Sequence, residues 1–107
     1  DGVSARELVR QYDQNPTWVS KASSATLLLG ERRIAADASR ESITITLPRA
    51  DTAQMGARVI VKKMTPGNTV TIRSAAGFMI DGAASLVLKS QWAVVEVESD
   101  GTQWLVI

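Results

Sequence analysis

Three tryptophans, at positions 18, 92 and 104, stand against one phenylalanine and one tyrosine in a chain of 107 residues. An exposed indole can stack on a sugar ring or anchor an interface, whereas a buried one fills a core. Core packing is the simpler expectation for Trp92 and Trp104, which flank one predicted hairpin. Trp18 lies in a linker region and is expected at an inter-subunit or linker contact.

The rest of the inventory offers little for catalysis. The chain has no histidine and no cysteine, which removes the commonest general base near neutral pH and the usual zinc and thiolate sites. A serine nucleophile would have to rely on lysine. Lys89 and Ser90 are adjacent, but neighbours on a strand point to opposite faces. Asp37, Asp81 and Asp100 are the acids nearest turns. Asp81-Gly82 and Asp100-Gly101 are better explained by turn geometry than by acid–base work, because aspartate and glycine tolerate the backbone a tight turn requires. No EF-hand-like loop is present, and glycines 77, 82 and 101 are too dispersed for a phosphate-binding loop. The expectation is a protein that is not an enzyme and that needs no metal or cofactor.

Charge points the same way. The formal net charge is +1, without the basic stripe of a nucleic-acid binder. The doublets Arg32-Arg33 and Lys62-Lys63 read as solvated strand ends or loops, so no nucleic-acid partner is expected. No apolar run approaches the roughly 20 residues that cross a bilayer, and membrane insertion is not expected. The chain begins at Asp1 without the layout of a signal peptide, as expected of a processed product or a fragment of a longer protein.

Two regions must position these residues. Residues 1–25 read as an amino-terminal helix and linker. Ser4 and Glu7 have capping-box spacing, Leu8, Val9 and Tyr12 form a weak apolar stripe, and Asn15-Pro16 stops it, which predicts a helix over about residues 4–13. Residues 26–107 read as a β domain. Ile43, Ile45 and Leu47 alternate with Thr44 and Thr46 until Pro48 ends the run. The apolar segment from Arg58 to Met64 and the alternating Val70 to Arg73 flank Thr65-Pro66-Gly67-Asn68, which predicts a hairpin turn. A second hairpin is predicted from Trp92–Glu98, the turn at Ser99-Asp100-Gly101-Thr102, and Gln103–Ile107. Shorter strands are expected near Thr26–Leu29, Arg33–Ala36, Phe78–Ile80 and Leu86–Lys89. The fold class that follows is all-β, a small antiparallel sandwich or barrel-like domain. On the strand from Trp92 to Glu98 the face with Ala93, Val95 and Val97 is apolar, and Trp92 and Val94 make the opposite face partly so. Apolar residues on both sides suggest a second covering layer and hence oligomerisation. Ser42–Leu47 also echoes Asn68–Arg73 faintly, for which chance resemblance between alternating strands is the simpler account.

The ordered run Ser42-Ile-Thr-Ile-Thr-Leu-Pro, Gly56, Val59-Ile-Val-Lys-Lys and Asn68-Thr-Val-Thr-Ile resembles a β module common in bacteriophage tail fibres. Ile80-Asp-Gly-Ala, Leu86 to Leu88, Trp92 to Val97 and Ser99-Asp-Gly-Thr-Gln-Trp-Leu-Val-Ile continue the resemblance, which covers about residues 26–107. It implies a virion structural domain on a tail or capsid surface, assembled as a homotrimer, whose partners are other virion proteins and a host-surface glycan or protein. The capped helix in front departs from the pattern. A receptor-binding fibre tip would place its contacts at Trp18 and Trp92, with the loops at Pro66 and Gly77 as secondary candidates. The turns at Pro66-Gly67, Asp81-Gly82 and Asp100-Gly101 would be structural. The alternative is a capsid-decorating or connector module whose partners are virion proteins alone.

Overall fold

The computed structural model describes residues 17–53 and 55–107. The expected helix over residues 4–13 lies outside them. Among the described residues the chain forms nine strands: β1 (Trp18–Lys21), β2 (Ala25–Thr26), β3 (Arg33–Ala36), β4 (Ile43–Leu47), β5 (Arg58–Lys63), β6 (Val70–Ser74), β7 (Ser85–Leu88), β8 (Val94–Ser99) and β9 (Trp104–Val106). They make a five-stranded sheet in the order β1-β3-β5-β8-β9 and a four-stranded sheet in the order β2-β4-β6-β7. The sheets therefore reach into residues 18–25, and Trp18 is a strand residue.

The all-β expectation holds, but the antiparallel one does not, because both sheets are mixed. The first six strands alternate between the sheets, so each strand pairs in parallel with the strand two places on: β1 with β3, β3 with β5, β2 with β4 and β4 with β6. Parallel neighbours need a long crossover between them. Here the strand in the opposite sheet is that crossover. The last three strands close the coil with antiparallel pairs, β6 with β7, β5 with β8 and β8 with β9.

The predicted hairpin across Pro66-Gly67 is corrected by the same topology. Strands β5 and β6 belong to different sheets, so the turn passes the chain across the core. Its residues fasten instead to the loop one coil earlier. Asn68 Nδ2 donates to the Ala38 carbonyl at 2.7 Å, the Thr65 hydroxyl accepts from the Ala38 N–H at 3.0 Å, and the Ser42 hydroxyl accepts from the Thr69 N–H at 3.0 Å. Phe78–Ile80 is likewise no strand; only Ile80 makes isolated bridges, to Ala83 and Trp104. The hairpin around Asp100-Gly101 is present, with Ser99 opposite Trp104.

Period-two alternation fills the space between the sheets. Ile34 and Ala36 of β3, Ile43, Ile45 and Leu47 of β4, Val59 and Val61 of β5, Val70 and Ile72 of β6, and Val95 and Val97 of β8 all point inward into one core. Each large aliphatic buried this way contributes about 1.5–3 kcal/mol. Trp104 completes the core, and its indole N–H donates to the Pro48 carbonyl at 3.0 Å. This satisfies the polar end of an otherwise apolar side chain.

The faint sequence echo has a structural counterpart. Ile43, Thr44 and Ile45 stand in register beside Val70, Thr71 and Ile72, and Arg33 stands beside Ile60. Both pairings are offset by 27 positions, one full coil of chain.

Candidate functional site

Each sheet turns its inward face to the core, so anything the domain binds meets an outward face or a loop. The outward face of the five-stranded sheet carries a row of Trp18, Arg33, Ile60 and Glu96, and beside it a row of Ser20, Ala35, Lys62 and Val94. Trp18 is 44% exposed, and Trp92, just before β8, is 55% exposed. The core expectation for Trp92 is thus overturned, while Trp104 is buried. Trp104 takes an inward position of β9, whereas Trp92 precedes β8 in a left-handed turn and Val94 takes an outward position of β8.

A basic side chain lies over each exposed indole. The Arg33 guanidinium is 5.9 Å from the Trp18 ring centroid, and the Lys62 ammonium is 5.8 Å from that of Trp92, within cation–π range. Trp92 is also held in left-handed backbone at φ 73°, a conformation costing a bulky residue about 1–2 kcal/mol. Its N–H donates to the Lys63 carbonyl at 2.7 Å, and Gln91 Nε2 donates to the Met64 carbonyl at 3.2 Å. A strained, hydrogen-bonded turn therefore presents a large aromatic side chain to solvent. From strand spacing and rise, the backbones of the two tryptophans are roughly 20 Å apart.

The remaining candidates are not brought together with them as one site. Pro66 and Gly67 are exposed and share the Trp92 end of the sheet, but their loop is tied down. Lys63, fully buried, extends its ammonium to the Thr65 carbonyl and to the Gly67 carbonyl at 2.7 Å. The Lys62-Lys63 doublet thus splits, one amine outward over Trp92 and one inward as a loop clamp. Asp81 and Gly82 form a tight turn, both with left-handed backbone. That turn is pinned to β9 by the Asp81 carboxylate, which accepts from the Val106 N–H at 3.0 Å. The Asp100 carboxylate accepts from the N–H groups of Thr102 and Gln103, both at 2.8 Å, and from the Thr102 hydroxyl at 2.9 Å. Those donors hold it below the usual carboxylate range.

Gly77 follows β6, at the far end of that strand from Pro66. It lines a groove of about 370 Å³ on the outward face of the four-stranded sheet, with Thr44, Thr71, Arg73, Met79 and Ser85. The hydroxyl-bearing floor escaped the sequence reading, although the alternation that buries Ile43, Ile45, Val70 and Ile72 sends Thr44, Thr71 and Arg73 outward.

No family model and no curated protein matches the chain.

The two outward faces differ in chemistry. One is aromatic and charged; the other carries hydroxyls and an arginine. Among the described residues no group of three or more histidine, cysteine, aspartate or glutamate side chains is placed to hold a metal ion.

Proposed function

We propose that the chain is a structural module of a bacteriophage virion, the terminal domain of a tail fibre, assembled as a homotrimer and engaging the host surface. The observation that carries the assembly is the tryptophan face. Exposed Trp18, Trp92 and Val94 share one face with half-buried Ile60 and Ala35, interspersed with Arg33, Lys62 and Glu96. Tryptophan and arginine, paired here at Trp18 and Arg33, are the residue types enriched at interface hot spots. In this reading neighbouring copies cover the tryptophan face, and the other sheet and its loops, including Gly77, remain free for the host. The ordered resemblance over residues 26–107 supports the virion setting.

Light scattering on the full chain over a range of concentrations tests the assembly. The expected mass is three times that of the chain, and the double substitution Trp18→Ala with Trp92→Ala is expected to shift it toward the monomer. Both residues are exposed, so the circular dichroism spectrum should be retained. A wild-type monomer at every concentration would remove the fibre reading's main support. Adsorption of the labelled chain to bacterial cells separates a fibre tip from a connector whose partners are virion proteins alone.

A further inference from the structure

The groove on the four-stranded sheet has a composition that selects a ligand. Its floor is a cross-strand pair, Thr44 beside Thr71. Arg73 and Ser85 stand opposite each other in the adjoining row. Gly77 and Met79 of the β6–β7 connection form one wall. The connection is set by two successive left-handed residues, Ala76 at φ 57° and Gly77 at φ 73°, so the wall has a defined backbone shape.

Arg73 is exposed and, among the described residues, makes no ion pair or side-chain hydrogen bond. Arg49 and Arg58 behave otherwise, being paired with Asp51 and with Glu98 at 2.8 Å. No carboxylate lines the groove. The side-chain hydroxyls of Thr44, Thr71 and Ser85 are likewise uncommitted among the described residues. One guanidinium fork matches one planar oxyanion. Three hydroxyls, each able to donate and accept, match a ring bearing hydroxyls, and half-exposed Met79 offers an apolar surface to the C–H face of such a ring. The volume lies in the lower part of the range of about 300–1,000 Å³ typical of small-ligand sites. A polyphosphate or nucleic-acid backbone would call for several cations, and a neutral sugar would leave Arg73 without a counter-charge.

We propose that this groove binds a carboxylate-bearing saccharide, its carboxylate on Arg73 and its ring hydroxyls on Thr44, Thr71 and Ser85. The proposal rests on the host-surface reading only for the source of the sugar. Titrating the isotope-labelled full chain with D-glucuronate, and in parallel with D-glucose and inorganic phosphate, tests it by amide chemical shifts. Glucuronate is expected to give saturable shifts at Thr44, Thr71, Arg73 and Ser85, and glucose little. Arg73→Gln, an exposed substitution, is expected to weaken glucuronate binding by about tenfold or more, the loss of one charge-assisted pair. Thr71→Val should weaken it less. Absence of saturable shifts, or unchanged affinity in Arg73→Gln, would overturn the proposal. Phosphate acting on the same amides as strongly as glucuronate would overturn the saccharide assignment. A chain that adsorbs to cells but ignores glucuronate sinks the groove and leaves the fibre-tip reading standing, and glucuronate binding without adsorption does the reverse.

Discussion

Lys63 shows how much depends on a single side chain whose setting its neighbours do not announce. It follows Lys62 in a basic doublet that looks like a solvated strand end. Yet its position in β5 is an inward one, in line with Val59 and Val61. A lysine forced inward must satisfy its ammonium, and it does so on the carbonyls of Thr65 and Gly67. Those bonds close the loop that carries the chain between the sheets. Lys63→Met keeps much of the apolar stem but strands both carbonyls. Hydrogen bonds to a charged group are worth about 1.5–3 kcal/mol, so urea denaturation should show a loss of about 2–3 kcal/mol. A stability within error of wild type would mean that water serves the loop carbonyls as well as the amine does. Trp92 is the complementary case, an apolar side chain presented to solvent by the left-handed turn that precedes β8.

At the scale of elements, the closing hairpin is the most local piece of the fold. Strands β8 and β9 are joined through Asp100, whose carboxylate gathers three donors from the two turn residues that follow it. Its pKa is lowered by the Thr102 N–H first, then by the Gln103 N–H and the Thr102 hydroxyl. A carboxyl with a depressed folded pKa contributes stability that is present above its unfolded value, near 3.9, and is lost as pH falls through the folded value. The hairpin turn is therefore expected to loosen only under acid, below about pH 4. In Asp100→Asn that pH dependence should vanish from the chemical shifts of the Thr102 and Gln103 amides. An identical acid transition in the variant would place its origin in another group. The predicted hairpin at Pro66-Gly67 has equally good turn chemistry, with Gly67 at φ 65° and Asn68 at φ 46°. There the flanking strands find partners elsewhere, and the turn becomes a passage between layers.

At the scale of the molecule, one core lies between two sheets whose strands are interleaved along the chain. Neither sheet can be removed without exposing the inward residues of the other, and parallel neighbours are paired 15 to 27 positions apart. Unfolding is accordingly expected to be a single cooperative transition. Of the three tryptophans, Trp104 alone is buried within the chain, so fluorescence of the Trp18→Ala, Trp92→Ala variant follows the core while far-ultraviolet circular dichroism follows both sheets. The two denaturation curves should coincide. Separate midpoints would show that the sheets unfold independently, against the shared core described above.

Alternation in Ile43–Leu47, Val70–Arg73 and Trp92–Glu98 was enough to identify strands and to make the domain all-β, because a half-buried strand must repeat every two residues. The Asp100 turn was legible for a similar reason, since its hydrogen bonds are made within three residues. Strand partners outside that hairpin were not. A run such as Ser-Ile-Thr-Ile-Thr-Leu serves a parallel or an antiparallel ladder equally well, and the choice depends on how many layers can be covered at once. Alternation also sends Thr44, Thr71 and Arg73 to one face, but only the tertiary structure sets β4, β6 and β7 side by side and makes a groove of them. The same holds for the tryptophans. Residue type marks Trp18 and Trp92 as able to bind, while the parallel pairing of β1 with β3 and of β3 with β5, and the antiparallel pairing of β5 with β8, put them on a common face.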